Sequence, residues 1–317
     1  MPTPSSGAIS IQQINAEFGR GNNLNAYRGT TWWTPQGTSG TFSSGAIAMS
    51  EFYNKQPNPP TFSFTISTNQ TNANLRTLAV NAGWNQAGLV IATISSGVYI
   101  SSNSTGTPAL TVSGSFPAGV QLVNNGFIVG MGGAGGRGGG MTNWTAVAGT
   151  AGSSGGTGLS VSSAITITNN GTIAGGGGGG GGGQSRTNIN FPCDSYPVSG
   201  GGGGGGRSSN AANSAAGAAG TATGTVPRQG AAGGAGTVSS AGGGGAGGFF
   251  NSNTSAGAGG AGGGWGASGS TGVNGFSNYN PPNSSAGPYS GGGAGSSVVG
   301  NGNISWAAFG TRLGPIS

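Results

Sequence analysis

Glycine-rich runs constrain this chain more than any other feature of its sequence. Glycine supplies 76 of the 317 residues, and most of it lies after residue 126, in runs such as 132–140, 175–183 and 257–264. Glycine has no side chain to bury and loses more conformational entropy on ordering than any other residue. The runs therefore predict either flexible linkers or backbones that pack directly against one another.

The spacing of the other residues within the runs favours packed backbones. In 131–140, and again in 258–264, a residue other than glycine recurs at every third position. A polyproline-II-type helix has three residues per turn and no internal hydrogen bonds, so its backbone groups must pair with neighbouring helices. Collagen does not fit, because the Gly-X-Y period is broken and proline is scarce. We expect a bundle of polyglycine-II helices.

The first 55 residues have a more ordinary composition and predict a docking segment. Ser10 and Gln13 have the spacing of a capping box, and apolar residues follow at helical spacing. A second short helix is expected to begin at Ser50. So few residues make a thin core, which suggests that the segment packs either against its own copies or on another protein. The candidate docking residues are the large apolar ones: Ile11, Ile14, Phe18, Tyr27, Trp32, Trp33, Phe52 and Tyr53.

Residues 60–125 predict a β-rich domain that follows a proline-rich linker. Phe62, Phe64 and Ile66 alternate with polar residues, which is the pattern of a half-buried strand. Further β-rich runs, at 89–94, 98–100, 110–112 and 120–123, are separated by turn residues, and one or two helical turns are expected within 75–84.

The expected fold class is therefore mostly β and irregular, in three domains. A short helical docking segment (1–55) precedes a small β-rich spacer domain (60–125). A C-terminal bundle of polyglycine-II helices with connecting loops and a C-terminal strand then occupies 126–317.

Side chains that carry catalysis or bind metals are nearly absent. Charged residues make up 4% of the chain, histidine is missing, the acids are Glu17, Glu51 and Asp194, and the one thiol is Cys193. Acid–base and nucleophilic catalysis draw on those residue types, and zinc sites need clustered His and Cys. The sequence predicts a protein that is not an enzyme and has no metal or cofactor, with Cys193 as a small packing residue.

The net charge of +6 is spread thinly along the chain. Only 136–139 resembles a glycine–arginine tract, and one arginine neutralises little phosphate. No Gly-Lys-Ser/Thr follows a glycine run, as a phosphate loop requires. The start lacks the regions of a signal peptide, and no segment approaches the roughly 18 apolar residues of a membrane span. We expect a soluble protein, made in the cytoplasm, that binds no nucleic acid and does not insert into membranes.

The segments between the glycine runs are candidate binding loops. Aromatic rings accompanied by Asn, Ser and Thr supply contact area and adaptable hydrogen bonds at little conformational cost. The alternative is that some of these rings cover the ends of the glycine bundle. The candidate binding residues are Trp144, Arg186, Phe191, Asp194, Tyr196, Phe249, Phe250, Trp265, Phe276, Tyr279 and Tyr289.

Several motifs resemble the glycine-rich tail and fibre proteins of tailed bacteriophages. An Asn-Gly-X-Ile motif recurs at 125–128, 170–173 and 301–304, and the first two copies precede glycine runs. The start at 9–18 and the ending at 310–316 are similar to those of phage structural proteins. The glycine-rich zone is similar in kind to the distal adhesins of T-even-like phages, where polyglycine helices form a sandwich and loops at one end bind outer-membrane receptors.

The resemblance implies a virion protein of the tail fibre or tail tip. Its N-terminus would dock to other tail proteins, and its loops would bind a host-surface receptor, either protein or glycan. A homotrimer and a monomer both remain open. The alternatives are a structural tail or baseplate spacer and, less favoured, an ice-binding protein with flat glycine faces.

Overall fold

The structure, a computed structural model, describes residues 3–187, 189–190, 194–278 and 284–317. No helix in these ranges is long and apolar enough to cross a membrane. The α-helices are Ile11–Phe18 and Leu75–Asn81, and the 3-10 helices are Leu24–Tyr27, Met49–Phe52 and Asn301–Asn303.

Residues 3–56 form an N-terminal unit with an aromatic core of its own. The predicted capping box is confirmed: the Gln13 amide donates to Ser10 Oγ, and the Ser10 amide donates to Gln13 Oε1. The second helix begins at Met49 and is a 3-10 helix, in which Glu51 accepts from the Ala48 amide. Strands Thr31–Trp33 and Ser39–Thr41 pair antiparallel. The buried core consists of Ile14, Phe18, Tyr27, Phe42 and Phe52.

Three parallel sheets organise the rest of the chain. The first runs in the order Ile304–Ala308, Ile165–Asn169, Val120–Asn124, Val90–Ile94, Phe62–Ile66. The second runs in the order Thr311–Leu313, Thr172–Ala174, Phe127–Val129, Tyr99–Ser101, Gln70–Thr71. The third runs in the order Val298–Val299, Leu159–Val161, Leu110–Val112, Ala73–Asn74.

The chain visits these sheets in rotation, so it winds as a parallel β-helix. Each coil gives one strand to each sheet, and the last coil closes with a bridge from Ile316 to Val298. Alternate residues of each strand point inward, and those of successive coils stack in register. The largest fully buried aliphatic side chains of this core are Leu75, Ile94, Ile100, Leu110, Leu122, Ile128 and Leu159.

Two buried asparagines link successive coils. Asn124 Nδ2 donates to Asn169 Oδ1 at 2.7 Å, and Asn169 Nδ2 donates to the Phe309 carbonyl oxygen at 2.7 Å. Each buried amide group thus has a partner in the next coil. The first two Asn-Gly copies follow this ladder, and Asn170 Nδ2 donates to Asn125 Oδ1 at 3.0 Å. The third copy lies in the 3-10 helix Asn301–Asn303 instead.

The glycine-rich runs are insertions between the second and third sheets. Residues 130–158 connect strand Phe127–Val129 to strand Leu159–Val161, and residues 175–297 connect Thr172–Ala174 to Val298–Val299. Within these insertions the chain forms extended segments that run alternately away from the β-helix and back towards it. These extended segments are 130–140, 148–158, 175–184, 199–208, 214–221, 229–236, 242–248, 256–264, 267–274 and 287–297.

Backbone hydrogen bonds join the extended segments in a three-residue rhythm. The amides of Gly176, Gly177 and Gly178 donate to three different segments, at Gly156, Arg207 and Ala267, each at 2.9 Å. The next three amides of the run repeat the cycle on the same segments, at Ser153, Gly204 and Ser270. Backbones lie so close that a Cβ added at Gly179 would stand 1.9 Å from the Ala134 oxygen.

The predicted fold class is wrong. The structure consists mainly of parallel sheets, and strands from Leu159 to Leu313 extend the sheets that begin at Phe62, instead of following a small β domain. No helical bundle forms the C-terminal part, since 3-10 helix Asn301–Asn303 is its one helix within the described residues. The reason is that the glycine runs are insertions, so local periodicity did not reveal the long-range strand pairing around them.

Candidate functional site

The far ends of the extended segments bring a set of loops together, which we call the tip. Gly133, Gly136 and Gly139 donate in register to Gly177, Gly180 and Gly183, so the first two outward segments end side by side. The same registration carries through the remaining segments. Within the described residues the tip comprises 141–148, 185–187, 189–190, 194–198, 222–228, 249–255, 275–278 and 284–286.

Short sheets hold the tip loops in place. Hairpin Gly140–Thr142 and Thr145–Val147 is extended in parallel by Ala222–Thr223. The other strand pairs of the tip are antiparallel. They are Ser185–Arg186 with Ser285–Ala286, Ile189–Asn190 with Asp194–Ser195, and Thr254–Ser255 between Phe249–Asn251 and Phe276–Ser277.

Three of the predicted binding residues present large rings to solvent at the tip. The exposed fractions are 40% for Trp144, 63% for Phe249 and 50% for Phe276. Trp144 lies in the turn of its hairpin, beside Asn143, which adopts a left-handed backbone conformation with φ of 50°. Large rings exposed together at one end of a molecule make that end a candidate interaction surface.

Other predicted residues at or next to the tip have structural partners. The Phe250 ring lies 4.3 Å from the Tyr196 ring, centroid to centroid. Tyr289 is half-buried, and its hydroxyl accepts a hydrogen bond from the Gly149 amide at 2.6 Å. Arg186 pairs through its backbone with Val198. Asp194 lies in a strand opposite Asn190. Phe191, Tyr279 and Cys193 lie outside the described residues.

Trp265 lies at the opposite end of the extended segments, against the β-helix. Its ring centroid is 3.6 Å from Arg207 Cζ, and its indole Nε1 donates to the Ser208 carbonyl at 2.8 Å. Its ring also neighbours Phe127, which stacks on Tyr99 at 4.5 Å. Trp265 therefore joins the glycine-rich segments to the second sheet and does not share a surface with the tip.

The tip loops carry few ionisable side chains. In the described part of the chain, His, Cys, Asp and Glu nowhere gather in groups of three or more. The basic residues of the tip loops are Arg186 and Arg228, and the backbones of both pair with Val198.

The predicted docking residues divide into two groups. Ile14, Phe18, Tyr27 and Phe52 are buried and form the core of the N-terminal unit, together with Phe42, which the sequence did not single out. Burial raises the pKa of the Tyr27 hydroxyl, which donates to the Gly21 carbonyl. The half-buried docking candidates, which remain accessible at the surface, are Ile11, Trp32, Trp33 and Tyr53.

The single lysine of the chain, Lys55, packs against one of those candidates, Trp32. Lys55 Nζ lies 3.8 Å from the centroid of the Trp32 ring. Loss of water around the amine lowers the pKa of Lys55, while the Glu51 carboxylate partly opposes the shift. The contact between Lys55 and Trp32 fixes the indole on the surface of the unit.

Comparison with known proteins gives one family and one related structure. The model of the family "Phage tail fibre adhesin Gp38" matches residues 61–317. The fold is similar to the crystal structure of the gp37–gp38 adhesin tip complex of the bacteriophage S16 long tail fibre. The TM-score is 0.50 and the identity 21%, over 99% of this chain and 100% of that chain. No curated protein sequence matches.

Proposed function

Because the chain belongs to the Gp38 family of phage tail fibre adhesins, we propose that it binds the host receptor through the tip. Membership of this family makes the chain a component of the virion tail that serves in host attachment. The single observation that supports the tip as the binding surface is the exposure of Trp144, Phe249 and Phe276 at one end of the molecule.

The extended segments are well suited to present such a surface. Their backbones are cross-linked by hydrogen bonds in several directions, as the Gly176, Gly177 and Gly178 amides illustrate. Loops held on a rigid scaffold lose little conformational entropy on binding. Aromatic residues then dominate the binding energy, as they do at many protein interfaces.

We propose that the N-terminal unit, residues 3–56, docks to another tail fibre protein. The related S16 structure is a complex of gp37 with gp38, which supports such an arrangement. The half-buried side chains of Ile11, Trp32, Trp33 and Tyr53 are the candidate contacts. The β-helix, which includes residues 60–125, acts as the spacer between docking unit and tip.

Two tryptophans at opposite ends of the extended segments allow a matched test. Trp144→Ala is expected to slow adsorption of phage to host cells by about tenfold or more, because truncation of an aromatic anchor commonly costs that much. Its melting temperature should stay unchanged, since the ring is at a hairpin turn and 40% exposed. Adsorption kinetics and thermal unfolding measure both. Normal adsorption of this variant would contradict the assignment of Trp144.

Trp265→Ala is expected to behave in the opposite way. It removes the stack on Arg207 and the hydrogen bond to Ser208, so the free energy of unfolding should fall by about 2 kcal/mol. Below its lowered melting temperature, the variant should adsorb at the wild-type rate, because the tip is intact. A selective loss of adsorption in a stable Trp265→Ala variant would place the binding surface at the end next to the β-helix and contradict its assignment to the tip.

A further inference from the structure

A cleft of about 350 Å³ lies at the base of the extended segments, next to the β-helix and away from the tip. One wall is the loop 102–108 of the β-helix. The others are the first residues of the outward segment 130–140, the middle of the segment 148–158, and Asn213 with Ala215. Four parts of the chain that are distant in the sequence therefore meet around one cleft.

Hydrogen bonds fix the walls of the cleft in the folded chain. The buried hydroxyl of Ser102 is shared between the carbonyl oxygens of Ser104 and Thr107, at 2.6 and 2.7 Å, which holds the loop in its turn. The buried Ser209 hydroxyl donates to the Ser102 carbonyl, so the chain just before Asn213 is tied to the same loop. The shape of the cleft is therefore set without a ligand.

Several side chains in the cleft have unused hydrogen-bonding groups. Thr105, Ser153 and Asn213 are exposed, and in the part of the chain that the structure describes their side chains have no hydrogen-bonding partner. Each hydroxyl offers one donor and acceptor lone pairs, and the amide offers two donors and an acceptor. The half-buried side chains of Met131 and Ala134 add apolar surface. The cleft thus combines unused donors and acceptors with apolar carbon atoms.

These groups select a neutral ligand that carries several hydroxyls. None of the described residues that line the cleft is charged, so an ion bound there would lose water without gaining a counter-charge. A purely apolar group would bury the unused hydroxyls and amide without partners, which is unfavourable. A sugar ring meets both conditions, because its hydroxyls exchange hydrogen bonds and its C–H groups contact apolar carbon atoms.

The volume of the cleft corresponds to one sugar ring. At about 30 Å³ for each water-sized group, a cleft of about 350 Å³ holds roughly a dozen non-hydrogen atoms. That is the size of one hexose. A cleft of this volume also lies within the range of small-molecule binding sites, which begins at about 300 Å³.

We propose that this cleft binds one neutral sugar unit of a cell-surface polysaccharide. The inference goes beyond the proposed function, because it assigns a second contact with the cell at the opposite end of the extended segments from the tip. A small ligand held by few hydrogen bonds binds weakly, with a dissociation constant of about 1 mM. Many such sugar units on one cell keep the chain near the surface while the tip engages its receptor.

Titrations of the full chain with neutral hexoses and N-acetylhexosamines, followed by saturation-transfer NMR, test the cleft. At least one of these sugars should bind the wild type with a dissociation constant of about 1 mM. Asn213→Ala and Ser153→Ala should each weaken that binding about fivefold, because one hydrogen bond is lost, and Ala215→Phe should abolish it by filling the cleft. Asn210→Ala is the matched control. Asn210 is exposed in the same loop as Asn213 but does not line the cleft, so this variant should bind as wild type.

The outcomes separate the cleft from the proposed function. If the wild type bound none of the sugars, or if folded cleft variants bound them as well as the wild type, the inference would be wrong. Added NaCl should leave the dissociation constant unchanged, whereas a steep loss of binding with salt would indicate an anionic ligand and overturn the proposal. A chain with tip loops 141–148 and 249–255 replaced by Gly-Ser segments of equal length should keep its sugar binding. Loss of sugar binding by that chain would place the sugar at the tip and contradict the proposal, whereas retained binding to susceptible cells would contradict the proposed function alone.

Discussion

Gly180→Ala is expected to prevent normal packing of the extended segments, whereas Gly243→Ala is expected to leave it intact. A Cβ at Gly180 would stand 2.0 Å from the Gly260 carbonyl oxygen, and a backbone cannot yield there without losing its own hydrogen bonds. The Gly180 amide donates to Gly204 at 2.7 Å, and its carbonyl accepts from Gly136 at 2.8 Å. Overpacking and broken hydrogen bonds together should cost more than about 3 kcal/mol.

Gly243 is the matched control, because a Cβ there meets no atom within 4 Å and its backbone is not in the left-handed region. Alanine at such a site reduces the entropy of the unfolded chain, so it should be neutral or stabilising by about 0.5 kcal/mol. Its neighbour Gly244, whose Cβ would stand 1.9 Å from the Gly259 oxygen, should behave like Gly180. Thermal unfolding compares the three. Equal melting temperatures would show that close backbone contact does not require glycine here.

Asn169→Ala is expected to destabilise the β-helix by about 2–4 kcal/mol. The substitution leaves the buried Asn124 side-chain amide with only its longer hydrogen bond, of 3.4 Å, to the Thr172 carbonyl, and it leaves the Phe309 carbonyl without its donor. A buried polar group that loses its partner costs about 1–3 kcal/mol. Urea unfolding gives the free-energy difference.

Asn170→Ala is the control for that change. Asn170 is the next residue and also an asparagine, yet its hydrogen bond to Asn125 is at the surface. Its loss should stay within about 0.5 kcal/mol. If the two alanine variants unfolded at the same urea concentration, the buried ladder would have no special part in holding the coils together.

Local residue patterns predicted local structure correctly at several places along the chain. The Ser10 and Gln13 capping box, the strand Phe62–Ile66 and the helix Leu75–Asn81 all form where the spacing of residues predicted them. Each depends on neighbours within one or two turns, and such information is fully present in a short stretch of sequence.

The architecture could not be read in the same way. Strand Thr172–Ala174 pairs with Thr311–Leu313 across more than a hundred residues, because the glycine-rich insertion separates the coils. The Asn-Gly copies at 125 and 170 lie at the same corner of two successive coils, where Asn170 donates to Asn125. The third copy, at 301, lies in a 3-10 helix instead. Insertions of very different lengths, 130–158 and 175–297, separate the strands of successive coils, so the coils do not recur at a constant spacing in the sequence.

Residue type selected several side chains that are exposed at the tip, but it did not predict their position. Aromatic residues in the interruptions of the glycine runs led to Trp144, Phe249 and Phe276, which the structure places at one end with exposed rings. The same criterion selected Trp265, which the structure places against the β-helix. Composition does not tell which end of an extended segment a turn occupies. The register of the hydrogen bonds between neighbouring segments determines which end that is.

Binding of purified chain to susceptible cells tests the central claim most directly. Wild-type chain is compared with a chain in which tip loops 141–148 and 249–255 are replaced by Gly-Ser segments of equal length. Both should unfold in the same temperature range. The account predicts saturable binding of the wild type that also blocks phage adsorption, and no binding of the replaced chain. Equal binding by the two chains would contradict it.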